Sequence, residues 1–139
     1  MSPCALVSLL LPCTVLSLPT PADEDTQFYL RLTEMEIVRC TNEERIRYGL
    51  SPLKVDLQLV ESARDHGSWM AGRQTLQHTS AMVGENIAMG QATAAEAVRD
   101  WMNSPGHRAN ILNGTYTRIG VAAYVAPNGT IYWCQQFLY

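Results

Sequence analysis

The chain has 139 residues, of which 47% are hydrophobic and 17% are charged, and its formal net charge is −3. This length and composition are typical of one folded domain with a hydrophobic core. The acidic balance and the absence of a basic run argue against a nucleic-acid-binding protein.

The N-terminal segment differs from the rest of the chain because it carries no charge before Asp23. An apolar stretch from Cys4 to Leu18, followed by small residues, is typical of a secretory signal, although the usual basic residue is missing. We therefore predict a signal peptide over residues 1–22 and a domain over residues 23–139; the alternative is an apolar tail. No later apolar stretch is long enough to span a membrane. The sequence thus predicts a secreted protein whose mature domain has no membrane span.

The four cysteines form two groups. Cys4 and Cys13 lie in the predicted signal peptide and would be removed with it. Cys40 and Cys134 remain, and two cysteines in an exported domain are candidates for a disulfide. Two buried free thiols are the alternative, since a bond requires Cα atoms within bonding range.

Two helices are predicted in the first half of the domain. Apolar residues at three- and four-residue steps indicate a helix over residues 26–48, with Gly49 at its C-terminal end. A second helix is predicted over residues 56–71. His66 lies on the apolar face of this helix, so we interpret it as a core histidine.

The middle of the chain is predicted to be irregular. Residues 73–92 show no periodicity, and loops of this length in a compact domain are often functional. A third helix is predicted from Thr93, because Thr93 and Glu96 form a capping box. The segment 107–112 is predicted to form one short helical turn.

The C-terminal part is predicted to be a β-hairpin. Two apolar runs, residues 118–126 and 130–139, flank the turn signal Asn128-Gly129. Neither strand has a clearly polar face, so both faces of the sheet must be covered. With three helices available, this predicts an α+β fold built as a helix–sheet–helix sandwich.

Polar residues in the predicted loops are candidates for a functional site. His78 and Glu85 lie in the irregular segment, and His107 follows a Pro-Gly turn; the chain has only three histidines. Two imidazoles and a carboxylate are plausible ligands for a zinc-like ion, although their spacing forms no local metal motif. Alternatively, the two histidines bond to Glu85 and hold the loops together without any ligand.

Four sequence blocks resemble the CAP superfamily of cysteine-rich secretory, antigen 5 and pathogenesis-related 1 proteins, also called SCP-domain proteins. In order, they are NEERIRYGLSPLKVDLQL, HTS…GENIAMG, WMNSPGHRANIL and YWCQQF. The resemblance covers about residues 33–138 and is closest to the short bacterial members. It implies a three-layer α-β-α sandwich with a small antiparallel sheet, export from the cytoplasm and a central cleft.

The resemblance also implies the residues of that cleft, which in the family holds two histidines and two glutamates. His78, Glu85 and His107 match the two histidines and one glutamate, and Asn86 follows the glutamate. The second glutamate position is occupied by Ser104. Since family members bind divalent metal through the two histidines, His78 and His107 are candidate ligands for zinc or another divalent cation.

Three functions are weighed for this cleft. The first is a non-enzymatic binding module for a divalent cation, an extracellular protein or an apolar ligand, because relatives bind sterols and other lipids. The second is a metal-dependent or serine-type hydrolase, for which Ser80 and Ser104 are the available hydroxyls, neither in a nucleophile elbow. The third is a purely structural or interaction domain. We predict the first.

A last open question concerns the tryptophans. Trp69, Trp101 and Trp133 could form a sugar-binding platform, but at helix and strand spacing we interpret them as core residues.

Overall fold

A computed structural model describes residues 31–139. The predicted signal peptide and the first residues of the predicted helix 26–48 lie outside the described residues. The helices are α1 (Leu32–Arg47), α2 (Leu57–Arg73), α3 (Ala94–Met102) and α4 (Pro105–Ile111). The strands are β1 (Lys54–Val55), β2 (Gly84–Met89), β3 (Arg118–Val125) and β4 (Ile131–Leu138).

The fold is an α+β sandwich around one four-stranded sheet of order β1-β3-β4-β2. Helix α2 packs on one face, against β3 and β4, and α1, α3 and α4 lie on the other face. The predicted fold class and the C-terminal hairpin are therefore confirmed. The sheet is mixed and not purely antiparallel, because the two-residue strand β1 pairs in parallel with β3.

The prediction that residues 73–92 are irregular is wrong for one third of that segment. Residues 84–89 form the edge strand β2, which pairs antiparallel with β4. Two polar residues at its start, Glu85 and Asn86, hide the apolar pattern of a strand. Both are nevertheless buried, because each finds hydrogen-bond partners inside the protein.

Strand alternation gives the sheet two separate cores, and this separation decides the state of the cysteines. Cys40 packs in the core on the α1 side, and Cys134 packs in the core on the α2 side. Both are buried free thiols. Of the two alternatives, the structure has the buried free thiols and not the disulfide, because the sheet stands between the two side chains.

A buried arginine fixes the position of α4. The Arg45 side chain is almost fully buried, and its guanidinium donates to four backbone carbonyls. These carbonyls belong to Ser51, Ile111, Asn113 and Tyr116. Because two of them lie at the C-terminal end of α4, the positive charge also meets the negative end of that helix dipole. Arg45 thereby ties α1 to the helix that carries His107.

The outer edge of β2 is closed by side chains. Two of its outward carbonyls accept hydrogen bonds, that of Glu85 from Asn110 Nδ2 at 3.1 Å and that of Ile87 from Trp101 Nε1 at 3.1 Å. Edge strands with free carbonyls recruit further strands. Here the α3–α4 region satisfies the edge instead, and it thereby holds α4 beside β2.

Helix α2 approaches the sheet closely enough to require glycine at position 120. A Cβ added to Gly120 would overlap the backbone and side chain of Leu59. We expect Gly120→Ala to lower the free energy of unfolding by about 1–3 kcal/mol in urea titrations, because backbone cannot move aside as a side chain can. The control is Gly72→Ala, a glycine of helix α2 itself, where an added Cβ meets nothing within 4 Å. This control should be neutral or stabilising by up to about 1 kcal/mol. Equal effects of the two substitutions would contradict the argument.

Candidate functional site

The site is built on a carboxylate buried in the edge strand. The Glu85 side chain is only 4% exposed and points to the α2 side of the sheet. Its Oε1 accepts from the Thr79 backbone N–H at 2.9 Å and lies 2.8 Å from His78 Nδ1. Its Oε2 accepts from Gln136 Nε2 at 3.0 Å. Each oxygen is thus engaged, which offsets the cost of burying the charge.

This carboxylate determines which nitrogen of His78 is available. A carboxylate only accepts hydrogen bonds, so Nδ1 of His78 carries the proton and Nε2 keeps its lone pair in the neutral ring. The His78 side chain is 59% exposed. The structure therefore presents an imidazole of fixed orientation to solvent, in the manner of a metal-binding histidine supported by a carboxylate.

His66 belongs to the same cluster. Its side chain is 11% exposed, but it belongs to neither hydrophobic core, so the interpretation as a core histidine holds only in part. Its Nε2 lies 2.7 Å from the Gln77 carbonyl and 3.8 Å from Glu85 Oε2. His66 thus supports the loop that carries His78, a role that the apolar face of α2 did not indicate.

Cys134 lies on the inner side of the same carboxylate, with its Sγ 3.7 Å from Glu85 Oε2. Burial, followed by the negative charge of Glu85, raises the pKa of the Cys134 thiol well above its usual value. The thiol therefore stays protonated and is a poor nucleophile.

Asn86 organises the opposite face of the sheet. Its Nδ2 donates to the His107 carbonyl at 3.1 Å and to Gln135 Oε1 at 3.0 Å, and its Oδ1 accepts from Asn110 Nδ2 at 2.9 Å. Gln135 continues the network to Thr41 Oγ1 in α1. This fully buried amide therefore holds α4, β4 and α1 together beside the cleft.

His107 lies on α4, and its electrostatics link it to His78. Burial, and then the positive charge of protonated His78, lower the pKa of His107 from 6.5. The charge of His78 is therefore felt at His107, although His78 is held from the α2 side of β2 and His107 from the α4 side. Ser104 is the N-cap residue of α4 but makes no side-chain cap bond.

Sequence reasoning named five cleft residues, and the structure gives each a different place. Glu85 supports His78 directly, whereas Asn86 reaches only the backbone of His107. No hydrogen bond among the described residues joins Ser104 to the cluster. Reasoning from sequence missed Gln135 and Gln136, which are both fully buried. Two adjacent glutamines in an otherwise apolar strand were the signal that could have revealed them.

The protein ligands for a metal ion are few. Within residues 31–139, no group of three or more His, Cys, Asp or Glu side chains is arranged to hold a metal ion. Glu85 is already engaged by its hydrogen bonds, so its carboxylate serves His78 and is not free to bind a cation. The side chains left for a cation are the imidazoles of His78 and His107, which Glu85 does not bridge.

An open groove of about 430 Å³ lies beside His78. Its walls come from the end of α2 and from the loop between α2 and β2, and they are His66, Trp69, Gln77, His78, Thr79 and Ser80. Five of these six residues have polar side chains, and Trp69 adds an apolar ring. Among the described helices, none is both long enough and apolar enough to cross a membrane.

The Asn86 network yields a stability prediction. We expect Asn86→Ala to lower the free energy of unfolding by about 2–3 kcal/mol in urea titrations, because it leaves the buried Gln135 Oε1 without its donor and removes the bond from Asn110. The control is Asn103→Ala, an exposed position, where the change should stay within about 0.5 kcal/mol. A small effect at Asn86 would show that the network does not hold the two layers together.

The lowered pKa of His107 yields a pH prediction. In NMR titrations of the imidazoles with EDTA present, His107 should titrate below 6.5, and His78→Ala should raise its pKa by removing a nearby positive charge. At a pH between the folded-state pKa of His107 and 6.5, the unfolded chain binds more protons than the folded chain. The free energy of unfolding contributed by this group therefore falls as the pH drops through that window and is restored above it. Titration of His107 at or above 6.5 would contradict the proposed environment.

Comparisons with known proteins agree with this geometry. The family model of the cysteine-rich secretory protein family, CAP, matches residues 38–137. YkwD of Bacillus subtilis is 42% identical over 122 residues, which cover 76% of this chain and 46% of YkwD.

Solved structures share the fold. An extracellular protein of Bacillus anthracis that contains an SCP domain superposes with a TM-score of 0.70 and 27% identity, covering 88% of this chain and 44% of that one. The crystal structure of NaASP2 with Zn²⁺ superposes with a TM-score of 0.63 and 13% identity, covering 76% of this chain and 78% of that one. The chain thus spans about half the length of its two Bacillus relatives. On the family match and the shared fold, the chain belongs to the CAP superfamily, the cysteine-rich secretory protein family.

Proposed function

We propose that this protein is an exported, non-enzymatic binding module whose cleft binds a divalent cation through His78 and His107. One observation carries the proposal: both imidazoles keep a ring nitrogen that the protein does not use. His78 gives Nδ1 to Glu85 and exposes Nε2. Within residues 31–139, no hydrogen bond uses the His107 ring.

The chemistry of the pair suits a borderline cation such as zinc. Imidazole nitrogens are preferred zinc ligands, and a carboxylate behind one of them raises its basicity. Two protein ligands leave coordination positions for water or for a group of a partner molecule. The structure of NaASP2 with Zn²⁺ supports a cation on this fold, although its low identity carries no residue over to this chain.

The hydrogen bonds favour binding over a purely structural cluster. Asn86 and Asn110 hold α4 against β2, and neither bond involves the His107 ring. On the other side, the Thr79 N–H already fixes the loop to Glu85. The packing of these loops therefore does not require the exposed imidazole of His78.

The same bonds disfavour a hydrolase. A serine or cysteine nucleophile needs a base within hydrogen-bond reach. Within residues 31–139, no hydroxyl or thiol is hydrogen-bonded to a histidine ring. Ser104 begins α4 without contacting the cluster, and Cys134 is buried and protonated.

An extracellular location is part of the proposal. The structural relative from Bacillus anthracis is an extracellular protein, and the predicted signal peptide over residues 1–22 agrees with export.

Zinc titration by calorimetry tests the proposal. We expect the purified protein to bind one zinc ion with a dissociation constant of roughly 1–100 μM, as befits two protein ligands. The double variant His78→Ala, His107→Ala should lose this binding, because it removes both nitrogen ligands. The control is Met82→Ala, whose side chain is 97% exposed in the same loop region and which should bind zinc like the parent.

Two results would contradict the proposal. One is the absence of binding in the parent protein. The other is binding that survives in the double variant, which would place the cation elsewhere. In contrast, a double variant that binds no zinc but has the parent's free energy of unfolding would support the proposal, because the histidines would then act as ligands and not as structural residues.

A further inference from the structure

Trp69 does not belong to the core, unlike the other two tryptophans. Trp101 and Trp133 are each 1% exposed, whereas Trp69 is 38% exposed on α2. The interpretation of all three as core residues is therefore wrong for Trp69. An exposed indole offers a large apolar face with a polar N–H at its edge.

The Trp69 ring is held in a fixed orientation by its neighbours on α2. The His66 ring stacks on it with centroids 5.8 Å apart and an interplanar angle of 11°. The Arg73 guanidinium lies 5.6 Å from the ring centroid. His66 is in turn fixed by the Gln77 carbonyl. The indole is therefore preorganised, which lowers the entropic cost of binding against it.

Two open grooves meet at this ring. The first, described above, runs from Trp69 past Gln77 to His78, Thr79 and Ser80. The second, of about 530 Å³, is lined by Trp69, Arg73, Thr75 and Gln77. Since both share Trp69 and Gln77, they form one elongated depression, which we call the Trp69 trough.

The chemistry of the trough is that of a sugar-binding surface. A sugar ring has an apolar C–H face, which packs on an indole, and hydroxyl groups around its edge, which need both donors and acceptors. The trough supplies the indole of Trp69 at its centre, with the amide of Gln77 and hydroxyls of Thr75, Thr79 and Ser80 beside it. The exposed Arg73 side chain adds further donors at one end.

We propose that the Trp69 trough binds an unbranched oligosaccharide. The two grooves, of about 430 and 530 Å³, leave room for more than one sugar ring, with one stacked on Trp69. This site adjoins the proposed cation site, because His78 also lines the trough, but it is centred on Trp69 and does not need the cation. It goes beyond the proposed function by assigning a second ligand class.

Other extended ligands fit the trough less well. A peptide that adds to a sheet needs a free strand edge. The nearest edge, that of β2, is closed by Asn110 and Trp101. A lipid chain needs an enclosed apolar cavity, whereas the trough is open and its walls carry amides and hydroxyls.

Titration with cellotetraose and chitotetraose tests the proposal, followed by calorimetry and by tryptophan fluorescence. We expect at least one of them to bind with a dissociation constant of roughly 0.1–1 mM. The indole emission should change on binding, since Trp69 is the exposed tryptophan. Trp69→Ala should weaken the affinity by roughly tenfold or more, and Trp69→Phe should retain part of it.

Control variants keep this result distinct from that of the cation site. Leu57→Ala removes an exposed apolar side chain of α2 that does not line the trough, so it should bind the sugar like the parent. His107→Ala should lose zinc and keep the sugar, whereas Trp69→Ala should lose the sugar and keep zinc. Thermal unfolding of each variant verifies that it is folded.

Two outcomes would overturn the proposal. The first is that neither tetrasaccharide binds the parent protein at about 10 mM. The second is that Trp69→Ala binds the sugar as tightly as the parent, which would show that the trough is not the binding site. If the affinity instead falls with His107→Ala or EDTA, the sugar contacts the imidazole pair.

Discussion

Burial of the Glu85 carboxylate in an edge strand is the constraint on which the site depends. A charge in this position is tolerated only when its oxygens are hydrogen-bonded. The Thr79 N–H, His78 and Gln136 meet this need. The loop between α2 and β2 must therefore close over the carboxylate, although this loop has little regular secondary structure of its own. The position of this loop sets the geometry of the exposed imidazole and of the grooves beside it.

Strand alternation joins this carboxylate to the second half of the cleft. Adjacent residues of a strand point to opposite faces, so Glu85 organises the α2 side and Asn86 organises the α4 side. Asn86 reaches the His107 backbone, and Arg45 fixes the far end of the same short helix. Two neighbouring residues of β2 thus bond to the segments that carry His78 and His107, which are 29 positions apart in sequence.

Much of the fold follows from local patterns, and the site follows only in part. The helices and the hairpin are predictable because apolar periodicity, the caps at Asp56 and Thr93 and the Asn128-Gly129 turn act within a few residues. Strand β2 is not predictable in this way, since its polar start is compensated by partners distant in sequence. The same holds for His66, whose helix face looks purely apolar until the loop that it supports is in place. The cleft histidines and Glu85 were identified from family resemblance, whereas the roles of Gln135 and Gln136 required the register of β4 against β2.

The separation of Cys40 from Cys134 by the sheet has a consequence for the conditions under which the domain folds. With no cross-link among residues 31–139, packing and the buried polar networks supply the stability of this region without help from oxidation. Maturation of this part therefore requires no disulfide-forming catalyst, and reductants in the surroundings leave its covalent structure unchanged. The raised pKa of the Cys134 thiol further protects it from oxidants, which react with the thiolate. Such a domain can operate across habitats whose redox potentials differ widely.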